Sequence, residues 1–472
     1  MSQSIAAHPD RLLPADPGTR NIARSLLERV QDLPIISPHG HVDAAVIEQD
    51  IPFPDPAALL VSPDHYVTRL IHSSGVPLDS LLGPLEAAQR AAQDSRSVWR
   101  EFCTAWPLFE GTASGYWLRT QFHDVFGLER EISAETADAS YDAISAKLRE
   151  PGFRPRQLFK DFNIEVLATT DDPLADLASH AAISADPTFH GRIVPTFRPD
   201  AYLNIAHPGW SANVDRLIGE AGEGACGYAG YLRALENRRR YFVQHGAVSA
   251  DHGVRTPSTV KLDAGEAAKL FDRARSGHTT PGDREQFEAH MLYEMARMSV
   301  DDGLVMTLHP GSFRNHHAPT FAAFGPDTGH DIPVAVSYTE ALRPLLQDFG
   351  TAPDFHLVLF TLDETVFSRE LAPLAGFYPS VYLGAPWWFL DAPDAMLRFR
   401  SAVTETAGFS RSSGFIDDTR AFCSIPARHD ASRRIEASFL ARLVAEHRVS
   451  EDRAHELIVD VVDSAPRRVF KL

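Results

Sequence analysis

Eight short apolar runs, each ending in polar or charged residues and separated by helix-length stretches, constrain the fold of this chain most strongly. They span residues 33–37, 164–170, 193–197, 242–250, 303–308, 356–362, 381–386 and 414–416. Short continuous apolar runs are the pattern of parallel strands buried on both faces. Eight such strands alternating with helices predict an α/β fold, a (β/α)8 TIM barrel, whose chemistry gathers at the C-terminal strand ends. A doubly wound open sheet is the competing arrangement. It calls for a Gly-rich nucleotide turn after the first strand, and His39-Gly40-His41 is not one. With 472 residues, 44% of them hydrophobic, the chain is long enough for a barrel carrying an insertion.

The boundaries expected are three. Residues 1–74 supply an N-terminal helix, with Ile22, Leu26, Leu27 and Val30 at helical spacing, and the first barrel strand. Residues 75–162 form a helical insertion after strand one. Leu78, Leu81, Leu82 and Leu85 give it one apolar face, and Trp99, Phe102, Trp106 and Phe109 another. Residues 163–472 complete the barrel and end in helices, with helical patterns at 338–349, 393–406, 432–447 and 451–463.

Charge and composition remove several classes of function. A net charge of −18 argues against a nucleic-acid partner, which needs a basic face. No apolar run reaches the length of a membrane span, and the first residues lack the layout of a secretory signal. Cys103, Cys226 and Cys423 are too few and too scattered for a disulfide framework, so a cytoplasmic location is expected. A homo-oligomer is left open. Only five of the basic residues are lysine, Lys147, Lys160, Lys261, Lys269 and Lys471, and none follows a predicted strand. This speaks against a Schiff-base aldolase and against a binuclear site built on a carboxylated lysine. It leaves arginine, whose planar fork grips carboxylates, to hold an anionic ligand.

The strand ends carry the candidate chemistry. His39 and His41 follow the first run at a spacing of two, which in extended chain turns both imidazoles to one side, toward a single ion. Pro63 to Arg69 packs Asp64, His65, Tyr66 and Arg69 together; its plain structural reading is a helix start capped by Asp64. Arg198 follows the third run and Asp251 the fourth. His309, with Arg314 beyond it, follows the fifth, Trp387 and Trp388 the seventh, and Asp418 and Arg420 the eighth.

Taken together, this layout resembles the amidohydrolase superfamily and, within it, the uronate isomerase (glucuronate isomerase) family over nearly the whole chain. The matching stretches are P-I-I-S-P-H-G-H, D-H-Y-V-T-R, T-T-D-D-P, P-T-F-R-P-D, A-D-H-G, L-H-P-G-S-F-R-N, G-A-P-W-W-F-L-D and D-D-T-R-A-F ahead of A-R-H-D-A-S-R-R. The resemblance implies that His39, His41 and Asp418 bind one divalent metal ion, zinc being the ion expected. It implies that Tyr66, Arg198, His309, Trp387 and Arg420 surround a sugar acid, with Arg314 and Asp251 nearby and Trp388 able to exchange roles with Trp387. The activity implied is aldose–ketose isomerisation of D-glucuronate or D-galacturonate, with Tyr66, His65, His309 and Asp418 as the acid–base candidates. The chain departs from the family pattern at Asp417 and Thr419, where the family has T-D-S-R, at Leu390, and at Ala431 and Ser432, where the family has an aromatic pair; these changes are expected near the pocket and leave the sugar open. Two other readings keep the same ligands. One is a mononuclear hydrolase or deaminase using metal-bound hydroxide, and the other is a catalytically silent sugar-acid binding protein.

Overall fold

Val305, Met306, Leu308, Leu357, Val358 and Leu359 are all buried, yet they divide between two cores. Met306, Leu308, Leu357 and Leu359 pack outward against helices, while Val305 and Val358 pack inward with Phe360 and Ile416. Alternate residues of a strand point to opposite faces, so an apolar run with no polar residue is what a strand covered on both sides requires. The computed structural model describes residues 6, 8–83, 94–207 and 209–472.

Ten short strands are present among the described residues: β1 (Ile35–Ser37), β2 (Ile164–Ala168), β3 (Arg192–Val194), β4 (Thr196–Phe197), β5 (Ser249–Val254), β6 (Val305–Pro310), β7 (Ser312–Phe313), β8 (Ile332–Pro333), β9 (Leu357–Leu359) and β10 (Val381–Leu383). One parallel sheet has the order β1-β2-β3, and a second has the order β10-β9-β6-β5-β4. β7 and β8 form a small antiparallel pair. Only Pro195, which has no amide proton to donate, separates β3 from β4. A parallel bridge from Asp171 to Phe197 carries the pairing past it. This is an α/β fold with parallel sheets.

Two runs differ from their sequence reading. Residues 414–416 form no ladder; pairing with β10 is reduced to a bridge from Leu383 to Ser412 and a hydrogen bond from Ser413 N to Leu383 O at 2.8 Å. Gly414, at φ 78°, turns the chain away there. Phe242 and Val243 belong to the helix Gly227–Gln244, so the fourth run becomes strand only at Ser249. Phe242 and Ala247 serve the outer core instead, while Val243 is exposed.

The outer core packs the helices Gly227–Gln244 and Pro281–Asp302 on the five-stranded sheet through Tyr231, Leu235, Phe242, Phe287, Met291 and Met295. The helix Ile425–Ala445 begins seven residues before the helical pattern at 432–447. It packs Ala437, Leu440 and Ala441 against Ala23, Leu26 and Val30 of the N-terminal region. Trp99, Phe102, Trp106 and Phe109 are buried on one another with Phe122. Leu78, Leu81 and Leu82 are buried as well, and Leu85 lies outside the described residues. No described helix is long and apolar enough to cross a membrane.

Candidate active site

The turn after β1 brings His39 and His41 to Asp418. His39 Nε2 lies 3.3 Å and His41 Nε2 2.9 Å from Asp418 Oδ1. His41 is tied in place through its amide, which donates to Thr419 O at 2.9 Å. Asp418 has φ 42°, a strained conformation for a non-glycine residue and one that concentrates at functional sites. Burial pushes its carboxyl up, but hydrogen bonds from His39 and His41 hold it well below the usual carboxylate range. One ligand atom from each of the three lies within 4.8 Å of the others. Two imidazoles and an ionised carboxylate form a donor set that fits a divalent transition-metal ion.

A second layer sits under this group. His309, at the end of β6, stacks on His39 with ring centroids 4.7 Å apart and on Phe360 at 4.1 Å. Its Nδ1 is 2.6 Å from Asp251 Oδ1, which also accepts from the Thr307 hydroxyl at 2.6 Å. Its Nε2 is buried without a partner. Arg198 Nη1 lies 3.2 Å from Asp251 Oδ2, and its Nε donates to Asp200 at 2.9 Å. Burial pushes Asp251 up, but His309, His39 and Arg198 hold it well below its ordinary range. Burial in turn lowers His309 despite the neighbouring Asp251. A β-carbon on Gly253 would stand 2.7 Å from Arg198 Nη2 and 2.8 Å from Asp200 Oδ2, which accounts for glycine in A-D-H-G. Asp251 itself does not line the cavity; it lies beneath, orienting His309 and Arg198.

Asp64 caps the helix His65–Ser73 by accepting from Tyr66 N at 2.8 Å, so the structural reading of that stretch holds alongside any chemical one. The cap directs His65 and Tyr66 into the cavity. Burial pushes the Tyr66 phenol well above its ordinary range, while the Arg428 cation pulls the other way. Trp387 is buried edge-on to His309 at 4.8 Å. Trp388, at φ 49°, lies farther out, 5.7 Å from His65 and with Arg314 stacked over it at 4.5 Å. The two indoles are neighbours, with centroids 4.9 Å apart, Trp387 facing His309 and Trp388 facing His65 and Arg314.

The mouth is built by residues 312–333, which hold β7, the helix Ala318–Phe324 and β8. Arg314 pairs with Asp331 at 3.0 Å and with Asp327 at 3.7 Å. Arg420 pairs with the same Asp327 at 2.9 Å. All of these groups bound a single cavity of about 1050 Å³ that is also lined by His39, His41, Phe321 and Arg428. No lysine is among its lining residues.

Sequence reasoning missed Arg428, Asp391, Asp200 and Asp327. Arg428 and Asp391 stand within the stretches A-R-H-D-A-S-R-R and G-A-P-W-W-F-L-D, which were the available signal; Asp327 belongs to neither a run nor a motif. Of the departures from the family pattern, Thr419 lines the cavity, whereas Asp417, Leu390, Ala431 and Ser432 do not. Ala431, Ser432 and Leu390 are buried in packing, and Asp417 accepts from His429 at 3.1 Å.

A family model described as glucuronate isomerase matches residues 18–470. A protein of Corynebacterium efficiens named uronate isomerase is 58% identical over all of both chains. The crystal structure of glucuronate isomerase from Caulobacter crescentus superposes with a TM-score of 0.95 at 47% identity, covering 98% of this chain and 96% of that one. The uronate isomerase of Thermotoga maritima gives 0.91 at 28% identity, covering 98% and 99%.

Proposed function

The chain belongs to the glucuronate (uronate) isomerase family, and from that premise we propose that it converts D-glucuronate to D-fructuronate, D-galacturonate to D-tagaturonate, or both, by moving a proton from C2 to C1 through an enediol. The observation that carries this reading is one cavity with a His–His–Asp group and two acid–base candidates inside and two arginines at its mouth. An acid sugar needs both ends. Arg420 and Arg314 hold the carboxylate, with Arg198 as a third cation, and Trp388 covers the ring. Tyr66 is the first choice for the base at C2. His309, with Asp251 on Nδ1 and Nε2 free, moves the proton between O2 and O1 and is the alternative base. Tyr66 then returns its proton to C1. His65 abuts Tyr66 at 4.6 Å and shapes that side. Asp418 relays a proton during ring opening. A divalent ion held by His39, His41 and Asp418, zinc in this reading, supplies Lewis-acid polarisation of the sugar oxygens when bound.

The same reading extends to the architecture. The sheets are two parts of one eight-stranded barrel, with residues 75–162 inserted after β1, between 1–74 and 163–472. In support, β3 runs on into β4, and the residues around Asp418 hydrogen-bond back to the turn after β1 through His41 and Thr419. Three free cysteines support a cytoplasmic home.

Running the reaction in D2O and examining C1 of the ketose by NMR tests the route. Substantial deuterium at C1 is expected, and Tyr66→Phe should slow turnover roughly 10²–10⁴-fold. Full retention of the C2 hydrogen, together with unimpaired Tyr66→Phe and His309→Asn, points instead to a hydride shift.

A further inference from the structure

We propose that Arg428 is a positioning residue for Tyr66, fixing the tyrosine ring and supplying the positive charge that its oxygen needs as it exchanges a proton; this rests on the role given to Tyr66 above. Arg428 lies in the first turns of the helix Ile425–Ala445 and is 2% exposed. Its guanidinium stands 3.8 Å over Trp117 and 5.5 Å from the centre of the Tyr66 ring. Trp117 in turn meets Tyr66 edge-on at 6.0 Å. The arginine therefore sits against both rings of an aromatic corner made by Trp117 and Tyr66.

Burying a guanidinium is unfavourable unless it is fully paired, and Arg428 is not. Among the described residues its hydrogen bonds leave from Nη1 alone, to Asp391 Oδ2 at 3.1 Å and Asp417 O at 3.1 Å, and its Nε is buried without a partner. Arg433, one turn along the same helix, shows what a purely structural arginine does here. Its Nε is buried without a partner among the described residues, as in Arg428, but both of its terminal nitrogens go to the backbone carbonyls of Gln31, Leu33 and Pro34, away from the cavity. Arg428 instead lines the cavity beside Tyr66. Asp391 fixes it from behind, and its position two residues beyond Phe389 places that anchor on the same segment as the two tryptophans. Of the charged groups acting on Tyr66, Arg428 is the cation that favours the phenolate, against Asp418, Asp391 and Asp64. A base at this position depends on that cation staying where it is.

A double-mutant cycle on the full, metal-loaded chain tests the proposal, with kcat and KM measured on D-glucuronate and D-galacturonate. Arg428→Gln is expected to lower kcat on the order of 10²-fold, in the range for an impaired general base, with KM changed less than about threefold. Arg428→Lys, which keeps the charge, should recover about tenfold of that loss. In a Tyr66→Phe background, Arg428→Gln should cost less than about threefold more, because residues acting as one unit are not additive. Equal losses in both backgrounds overturn the proposal and make Arg428 a packing residue. A raised KM with preserved kcat also overturns it, in favour of a direct grip on substrate. Where Arg428→Gln does not fold, Arg428→Lys runs the same cycle, and the same two results overturn the proposal. An unimpaired Tyr66→Phe overturns this inference and the role given to Tyr66 but leaves the isomerase reading standing, whereas a wild-type chain that turns over neither uronate overturns the isomerase reading as well.

Discussion

The two ends of the cavity are held by different means. At the deep end His39, Asp251 and His309 are at most 3% exposed, and each is held by ring stacking or a short hydrogen bond. At the mouth the side chains of Arg314 and Arg420 are 39% and 42% exposed, and they share the Asp327 carboxylate of an irregular segment. Buried, hydrogen-bonded charge is expensive to misplace, so the deep end is preorganised for chemistry. Exposed ion pairs are worth little and exchange readily, which suits the role proposed for these arginines, releasing one carboxylate to take another.

The largest effect expected from this contrast is at the proposed metal ligands. His39→Ala/His41→Ala should reduce bound metal from about one equivalent to near zero, since two of three ligands are lost, and turnover should fall with it. Binding of uronate, measured by calorimetry, should survive in weakened form, because the mouth is untouched. Metal content equal to wild type would remove the site assignment, and complete loss of sugar binding would show that the two ends are not separable.

Asp251→Asn comes next. It removes one charge from a buried cluster with His309 and Arg198, a change that destabilises by about 3–5 kcal/mol when a buried pair is broken. It also frees the His309 ring, and losses of about 10–100-fold are usual when the group orienting a site imidazole is removed. Denaturant melts and kcat report the two effects. A variant as stable and as fast as wild type would mean that the cluster does not act as a unit.

This same contrast decides how much could be read in advance. His39, His41, Arg198, His309, Trp387 and Asp418 follow apolar runs, and a strand end projects its side chains toward one rim, so run plus polar terminus was enough to bring them together. Asp251 shares that signal yet lies below the cavity, because it stands two residues deeper along β5 than Gly253, on the same face, under His309. Residues 414–416 read as a strand but pair only at Ser412 and Ser413, since the left-handed turn at Gly414 breaks the ladder. Arg428 had a signal only in the stretch A-R-H-D-A-S-R-R and was passed over because it sits on a helix, where its neighbours in sequence are buried. Asp327 was invisible because a loop of no fixed period places it.

Arg420→Lys should act on binding rather than on fold. The forked guanidinium is lost while the charge remains, and the loss should be on the order of 1.5–3 kcal/mol for a charged hydrogen bond, appearing mainly in KM. Arg198→Lys should instead lower the melting temperature, because Arg198 is enclosed by Asp200 and Asp251. Melts that respond alike to both substitutions would erase the distinction between the ends.

The smallest effect, and the sharpest test of the mouth, is Asp327→Asn. Burial pushes the Asp327 carboxyl up, but Arg420, Arg314 and His65 together hold it below the ordinary carboxylate range. Its contribution to stability is therefore present above the ordinary carboxylate pKa and disappears only as pH falls through the lowered folded value. At neutral pH it is always ionised and always competing with an incoming carboxylate for Arg420. Removing that competitor should change stability by no more than about 1 kcal/mol and lower KM for uronate by roughly two- to fivefold, the same energy expressed as affinity. kcat should not move, because no group at the deep end is touched. Raising salt to about 1 M shortens the screening length to about 3 Å and should shrink the difference between variant and wild type. A KM that rises instead would mean that Asp327 holds the two guanidiniums in the geometry the substrate needs, making the mouth as preorganised as the deep end.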